Sequence, residues 1–180
     1  MSSKRFTYFF SLLFTICLFG AFSLPKNIQK KVNKQISKTF AVKDFALKPI
    51  HIIDSVNTKL KKKIGKDQLF KIVQGEQELI GYAYVDKAPS KTDEFDYLIL
   101  LNKELIIAKT KVLIYREDYG NEIGSKRWLK QFNGLKSKQK VIYEKDIIPI
   151  SGATISAYSM TDAVNTFLKD LGILIDNKVF

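Results

Sequence analysis

The sequence predicts an α+β fold: a mainly antiparallel sheet flanked by helices, in a single domain after an N-terminal signal or anchor segment. Three observations predict it. From Leu69 to Glu117, apolar residues alternate with a period near two in four neighbouring runs joined by short turns, as consecutive antiparallel strands require. On both sides of that stretch the apolar spacing becomes helical. At 180 residues, with 46% hydrophobic and 12% aromatic content, the chain can build one sizeable core but not two comfortable ones.

The first element is a leader. Lys4 and Arg5 precede an uncharged run from Phe6 to Leu24, with Ala21, Phe22 and Ser23 before the change to "LPKNIQKK". A basic start, an apolar middle and small residues fit a signal peptide cut after Ser23. A run of this length can also remain as a membrane anchor or fold as a buried helix. In the first two cases the rest of the chain is extracytoplasmic: periplasmic, secreted or held at the membrane. The chain thus divides into a leader over 1–23, a helical N-terminal region over 24–66, and the main domain over 67–180.

In that N-terminal region, Ile28, Val32, Ile36 and Phe40 recur every four residues, one apolar stripe on a basic helix. "DSVNTKLKKKIG" begins on capping residues and ends at Gly65, predicting a second helix over 54–65. "LFKIVQ" and "ELIGYAYV" around Gly75 predict one hairpin; "FDYLILL" and "ELIIAKTKVLIYRE", turning at Asn102 and Lys103, predict another. In the last strand Ala108, Thr110, Val112 and Ile114 should face one way, and Lys109, Lys111, Leu113 and Tyr115 the other. "DKAPSKTDE" between the hairpins reads as an exposed polar loop. A glycine-broken loop, "REDYGNEIGS", then leads into a short helix carrying Trp128, Leu129 and Phe132, stopped at Gly134, and "KVIYEKD" reads as a further strand. Met160, Val164, Phe167, Leu168 and Leu171 mark a final helix closed by Gly172.

Composition removes several chemistries. Cys17, inside the leader and preceded by the bulky Ile16, is the sole cysteine, so disulfides, thiol catalysis and cysteine metal sites are excluded beyond it. His51 is the sole histidine and reads as a strand or core-edge residue. No nucleophile and base pair, metal-ligand cluster or G-x-G-x-x-G element is present, which argues against a stand-alone enzyme without closing that question. The net charge of +12 is carried by scattered lysines; arginine occurs only at positions 5, 116 and 127. That balance describes a solvated basic surface, or one drawn to anionic membrane, better than a nucleic-acid reader.

"IPISGATISAYSM", residues 148–160, places Ser151, Gly152, Ala153, Thr154 and Ser156 immediately before the final helix. Free N–H groups and the positive end of the helix dipole should gather there, attracting an anion. Glycine admits a phosphate close to the backbone, and hydroxyls add hydrogen bonds. An ordinary cap needs one hydroxyl, and three are present.

"SGATIS" ahead of a helix resembles the attachment motif of the FMN-binding domain of the C subunit of sodium-pumping NADH:quinone reductase and the G subunit of the Rnf electron-transport complex. "REDYGNEIGSKRW" is similar to that family's acidic, glycine-containing loop at Glu117, Gly120 and Gly124. The resemblance implies an FMN-binding domain over 67–180, with FMN joined by a flavin transferase through a phosphoester to Thr154, and electron exchange with membrane redox proteins. It departs from the family at Ile148, where an aspartate is usual and Asp146 is the nearest carboxylate, and at Asp118 and Tyr119, where Thr-Pro is common. Tyr119, Trp128 and Tyr158 are the aromatic candidates beside the flavin ring. Alternatives remain: a module holding FMN or another phosphate ligand without a covalent bond, and a non-redox basic surface protein binding anionic envelope components.

Overall fold

Five strands follow one another across the sheet in chain order, each antiparallel to the next. They are β1 (Ala46–Pro49), β2 (Leu69–Gln74), β3 (Glu78–Pro89), β4 (Glu94–Leu101) and β5 (Ile107–Ile114). The computed structural model describes residues 24–180, so the expected leader over 1–23 lies outside the described residues. Among the described residues no helix is long and apolar enough to cross a membrane.

Two helices cover the two faces of the sheet: α1 (Lys26–Phe40) one face, and α4 (Thr154–Asp176) the other. In β4 the pleat sends Phe95, Tyr97, Ile99 and Leu101 into the core shared with α4, while Leu98 and Leu100 meet Ile28, Val32 and Ile36 of α1. With both faces covered, β4 has no polar face after Asp96, which explains the run "YLILL". Each fully buried aliphatic side chain contributes about 1.5–3 kcal/mol. The region 24–66 is therefore not purely helical: it supplies edge strand β1 as well as α1.

Several expectations need correction. The helix expected over 54–65 is one turn, α2 (Asp54–Asn57). Beyond it Asn57 bonds both the N–H and the carbonyl of Ile64, at 2.9 Å each, and Asp170 takes the N–H groups of Lys61 and Lys62. Side chains thus supply the partners that helical carbonyls would otherwise provide. "DKAPSKTDE" is mostly strand: β3 runs on to Pro89, β4 begins at Glu94, and only a tight turn separates them, closed by Ser90 N–H donating to Asp93 at 2.7 Å. Its Asp86 is buried and accepts from Tyr84 Oη at 2.7 Å, Gln68 at 2.8 Å and Tyr97 Oη at 3.3 Å, with Lys62 Nζ at 2.6 Å. Burial pushes both tyrosine hydroxyls well above their ordinary range.

"KVIYEKD" forms a turn around the Ile142 carbonyl, with only an isolated bridge between Tyr143 and Ile147. The second hairpin turns over Asn102–Ile106, where Asn102 Oδ1 accepts the Ile106 N–H, so β5 starts later than expected. Lys109 and Lys111 share the α1 side with Leu113, but a register shift next to Leu113 sends Ile114 to that side too and Tyr115 to the α4 core. The final helix passes straight through Gly172. A Cβ there would meet the Lys138 side chain at 2.7 Å, so this glycine admits a crossing segment instead of ending the helix. His51 is an exposed loop residue between β1 and α2.

Candidate functional site

The start of α4 is an open helix end. Ala153 occupies the N-cap position, and no side chain caps the helix. The first internal bond runs from Ala157 N–H to Ala153, leaving the N–H groups of Thr154, Ile155 and Ser156 without helical acceptors. The hydroxyls that sequence reading grouped here part company. Ser156 is 2% exposed and pairs with Tyr115 Oη at 3.0 Å. Thr154 is exposed in the first turn and its hydroxyl makes no hydrogen bond within the described residues, and Ser151 is exposed just before it.

The wall opposite is the loop after β5. Gly120 has φ 88° and Gly152 φ 83°, both left-handed, and the two loops meet backbone to backbone. A Cβ on Gly120 would stand 2.5 Å from Tyr115 Oη and 3.5 Å from the Gly152 carbonyl. One on Gly152 would press on the Glu122 carboxylate at 3.1 Å. Gly152 is thus required by its backbone angle and by Glu122, not only by room for an approaching anion. Glu117 ties a third segment in: its Oε1 receives Ser90 Oγ at 2.5 Å, Thr92 N–H at 2.7 Å and Asp93 N–H at 3.2 Å. Those bonds, Ser90 foremost, hold its carboxyl below the usual range.

The result is an open groove of about 300 Å3 lined by Glu117, Tyr119, Gly120, Gly152, Ala153, Thr154 and Ser156. Seven of the nine residues expected in the site therefore meet in one place. The other two, Ser151 and Trp128, line an adjoining cleft of about 340 Å3 with Ile148, Pro149 and Arg127. Trp128 is buried, with its ring edge-on to Phe132 and its Nε1–H donated to the Ile148 carbonyl at 2.8 Å. Tyr119 is 87% exposed on the groove. Tyr158 turns away, packing on Tyr143 and lining a different cleft with Tyr84 and Tyr97. Asp146 is committed to the Ile142 N–H at 2.8 Å, and Ile148 is 71% exposed.

Sequence reading missed three contributors. Lys91 lines the groove because Glu117 grips the turn beside it, a contact across more than twenty residues that no local pattern announces. Tyr115 is aimed here by the register shift in β5. Ile155, half exposed, adds an apolar edge. Chemically, the groove offers free N–H donors, a helix dipole, one lysine and an unengaged hydroxyl, a set suited to a phosphate; the cleft beside it offers an apolar wall suited to a ring.

Comparison with protein families gives an independent result. Residues 91–169 match the family described as the FMN-binding domain. The match starts at Lys91, spans β4, β5 and the loop after it, and ends within α4, so it contains both groove and cleft. It makes FMN the cofactor of this domain, in agreement with the resemblance at Ser151–Thr154. Among curated proteins the comparison finds no match.

Proposed function

We propose that this FMN-binding flavoprotein is exported, carries its FMN as a phosphoester on Thr154, and relays electrons for a membrane redox assembly. The observation that supports the covalent reading is the open end of α4: three N–H groups without helical acceptors beside an exposed hydroxyl that caps nothing. Attachment would form an ester between the Thr154 hydroxyl oxygen and the FMN phosphorus while the diphosphate bond of a flavin dinucleotide carried by a flavin transferase breaks, with the nucleoside monophosphate leaving and the hydroxyl proton released. The N–H groups of Thr154, Ile155 and Ser156 would hold the phosphate, and Lys91 would add positive charge on the groove side. Tyr115 holds Ser156 out of the way and braces the loop that forms the wall. Trp128, Ile148 and Pro149 supply the apolar face for the ring. FMN when bound supplies the redox chemistry; the chain binds and orients it. A tether prevents loss of the cofactor outside the cytoplasm.

The test is mass spectrometry of protein coexpressed with a flavin transferase. The expected result is one FMN added to the wild type and none to Thr154→Ala; an unmodified wild type overturns the covalent reading. The second reading, FMN held without a covalent bond, is favoured by Ile148 in place of the family aspartate and by Asp146 being tied into its own turn. Yellow colour released on denaturation would select it.

A further inference from the structure

A second concave site lies between α1, β5 and the α3 segment (Lys126–Leu129), apart from the groove at Thr154. It is a cleft of about 380 Å3 whose walls carry Lys38, Lys109, Lys111, Lys126 and Lys130, with no aspartate or glutamate among its lining residues. Five lysines elsewhere, most of them exposed, pair with carboxylates: Lys61 with Asp162, Lys62 with Asp86, Lys87 with Glu94, Lys103 with Glu78 and Lys138 with Asp176. None of the five cleft lysines has a carboxylate partner among the described residues.

We infer that this cleft is a binding site for a compact multivalent phosphate, a diphosphate or a phosphomonoester headgroup, independent of the flavin site. The stability of the fold does not account for the arrangement. Lys38 complements the C-terminal end of α1, but α3 is a single turn whose backbone gives Lys126 no comparable partner. Lys109 and Lys111 are only partly exposed, and burial together with Lys126, Lys38 and Lys31 nearby pushes their ammonium groups below the ordinary lysine range. Like charges gathered without counter-charge in a concavity cost stability, and a multivalent anion reverses that cost. Thr39 Oγ1, in the same wall, is buried without a hydrogen-bond partner and adds a hydroxyl donor. The concave shape and size suit a small ligand better than the face of an acidic protein. Lysines bind phosphate as point charges without the forked geometry that carboxylate recognition favours in arginine.

The experiment titrates protein expressed from the full chain with pyrophosphate by calorimetry at physiological ionic strength. It compares Lys109→Gln/Lys111→Gln with Lys136→Gln/Lys140→Gln, which removes the same charge from an exposed segment outside the cleft. We expect wild-type binding with Kd below about 1 mM, weakened roughly tenfold or more in the cleft variant only. The cleft variant should melt no lower than wild type, since it loses repulsion, and should lose the stabilisation that pyrophosphate gives. Vesicles containing phosphatidic acid, whose headgroup is a phosphomonoester, against vesicles of phosphatidylcholine alone identify the source of the phosphate. Cleft-dependent vesicle binding assigns a membrane headgroup; vesicle binding indifferent to the cleft, with pyrophosphate binding lost, assigns a soluble ester. Equal weakening in both variants, no pyrophosphate binding, or tighter binding of polyglutamate than of pyrophosphate overturns the inference. Because the Thr154 groove also suits a phosphate, the titration is run on flavin-free and flavin-loaded protein: weakening by the cleft variant in either form supports the cleft whatever the fate of the flavin proposal, and binding that the cleft variant leaves unchanged overturns it.

Discussion

Two places in this molecule gather backbone N–H groups that have no helical or strand partner, and the fold treats them oppositely. At the Lys61 and Lys62 turn, the carboxylate of Asp170, 2% exposed on α4, accepts both N–H groups at 2.7 and 3.0 Å. At the other end of the same helix the N–H groups of Thr154, Ile155 and Ser156 point into an open groove, and no side chain answers them. The chain can supply an anion of its own where stability needs one. Leaving the second set open, with Ala153 at the N-cap position where a hydroxyl or carboxylate would have capped it, suits an anion that comes from outside.

That contrast can be broken or sharpened, beginning with the largest effect. Thr154→Ala should abolish the FMN adduct altogether, read as loss of the mass increment, while leaving the melting temperature of flavin-free protein close to wild type. An adduct that survives would make the open helix end incidental. Asp170→Ala should do the reverse: it leaves two N–H groups unanswered, costs about 1–3 kcal/mol and keeps the FMN increment. In a chain of this size, thermal unfolding should register roughly 2–4 °C for each kcal/mol. A smaller effect is expected of Thr154→Asp, which brings an internal anion to the open end. Flavin-free protein should gain about 0.3–1 kcal/mol in chemical unfolding, with attachment lost.

Glu117 should show the smallest effect, confined to acid. Its folded carboxyl titrates below the reference value of 4.5 because Ser90, Thr92 and Asp93 bond the ionised form. The unfolded chain therefore takes up a proton first as pH falls. The stabilisation is complete above the unfolded value and fades as pH drops through the lower folded one. Glu117→Gln should accordingly melt below wild type at neutral pH, with the gap closing towards pH values under 4.5. A gap independent of pH would mean that the carboxylate charge is not what ties the 90–93 turn to the groove.

Much of the fold was legible because it rests on local periodicity. Leu98 and Leu100 against Phe95, Tyr97, Ile99 and Leu101 follow from a period of two, and Ile28, Val32 and Ile36 from a helical stripe. The misreadings share one cause. Asp86 looks like a loop residue until Tyr84, Tyr97, Gln68 and Lys62 close around it. "DSVNTKLKKKIG" looks helical until Asn57 and Asp170 bond its backbone. Gly172 looks like a stop until Lys138 crosses it. Each depends on a partner far along the chain, or on side-chain geometry that composition does not carry. The same holds in the site: Ser151 to Ser156 could be read in one stretch, whereas Lys91 and Tyr115 reach the groove through the Glu117 turn and a register shift in β5.

By itself the sequence determined the α+β class, the placing of the hydroxyl cluster before the last helix and the resemblance of that cluster to an FMN-binding motif, since all three are written in contiguous residues. Only the tertiary structure decided that Ser156 is spent on Tyr115 while Thr154 stays open, that Ser151 and Trp128 share a separate cleft, and that the lysines near α1 converge without counter-charge. Hydrogen-bond satisfaction and charge pairing are settled by neighbours in space, and those are known only once the sheet and its two covering helices have been brought together.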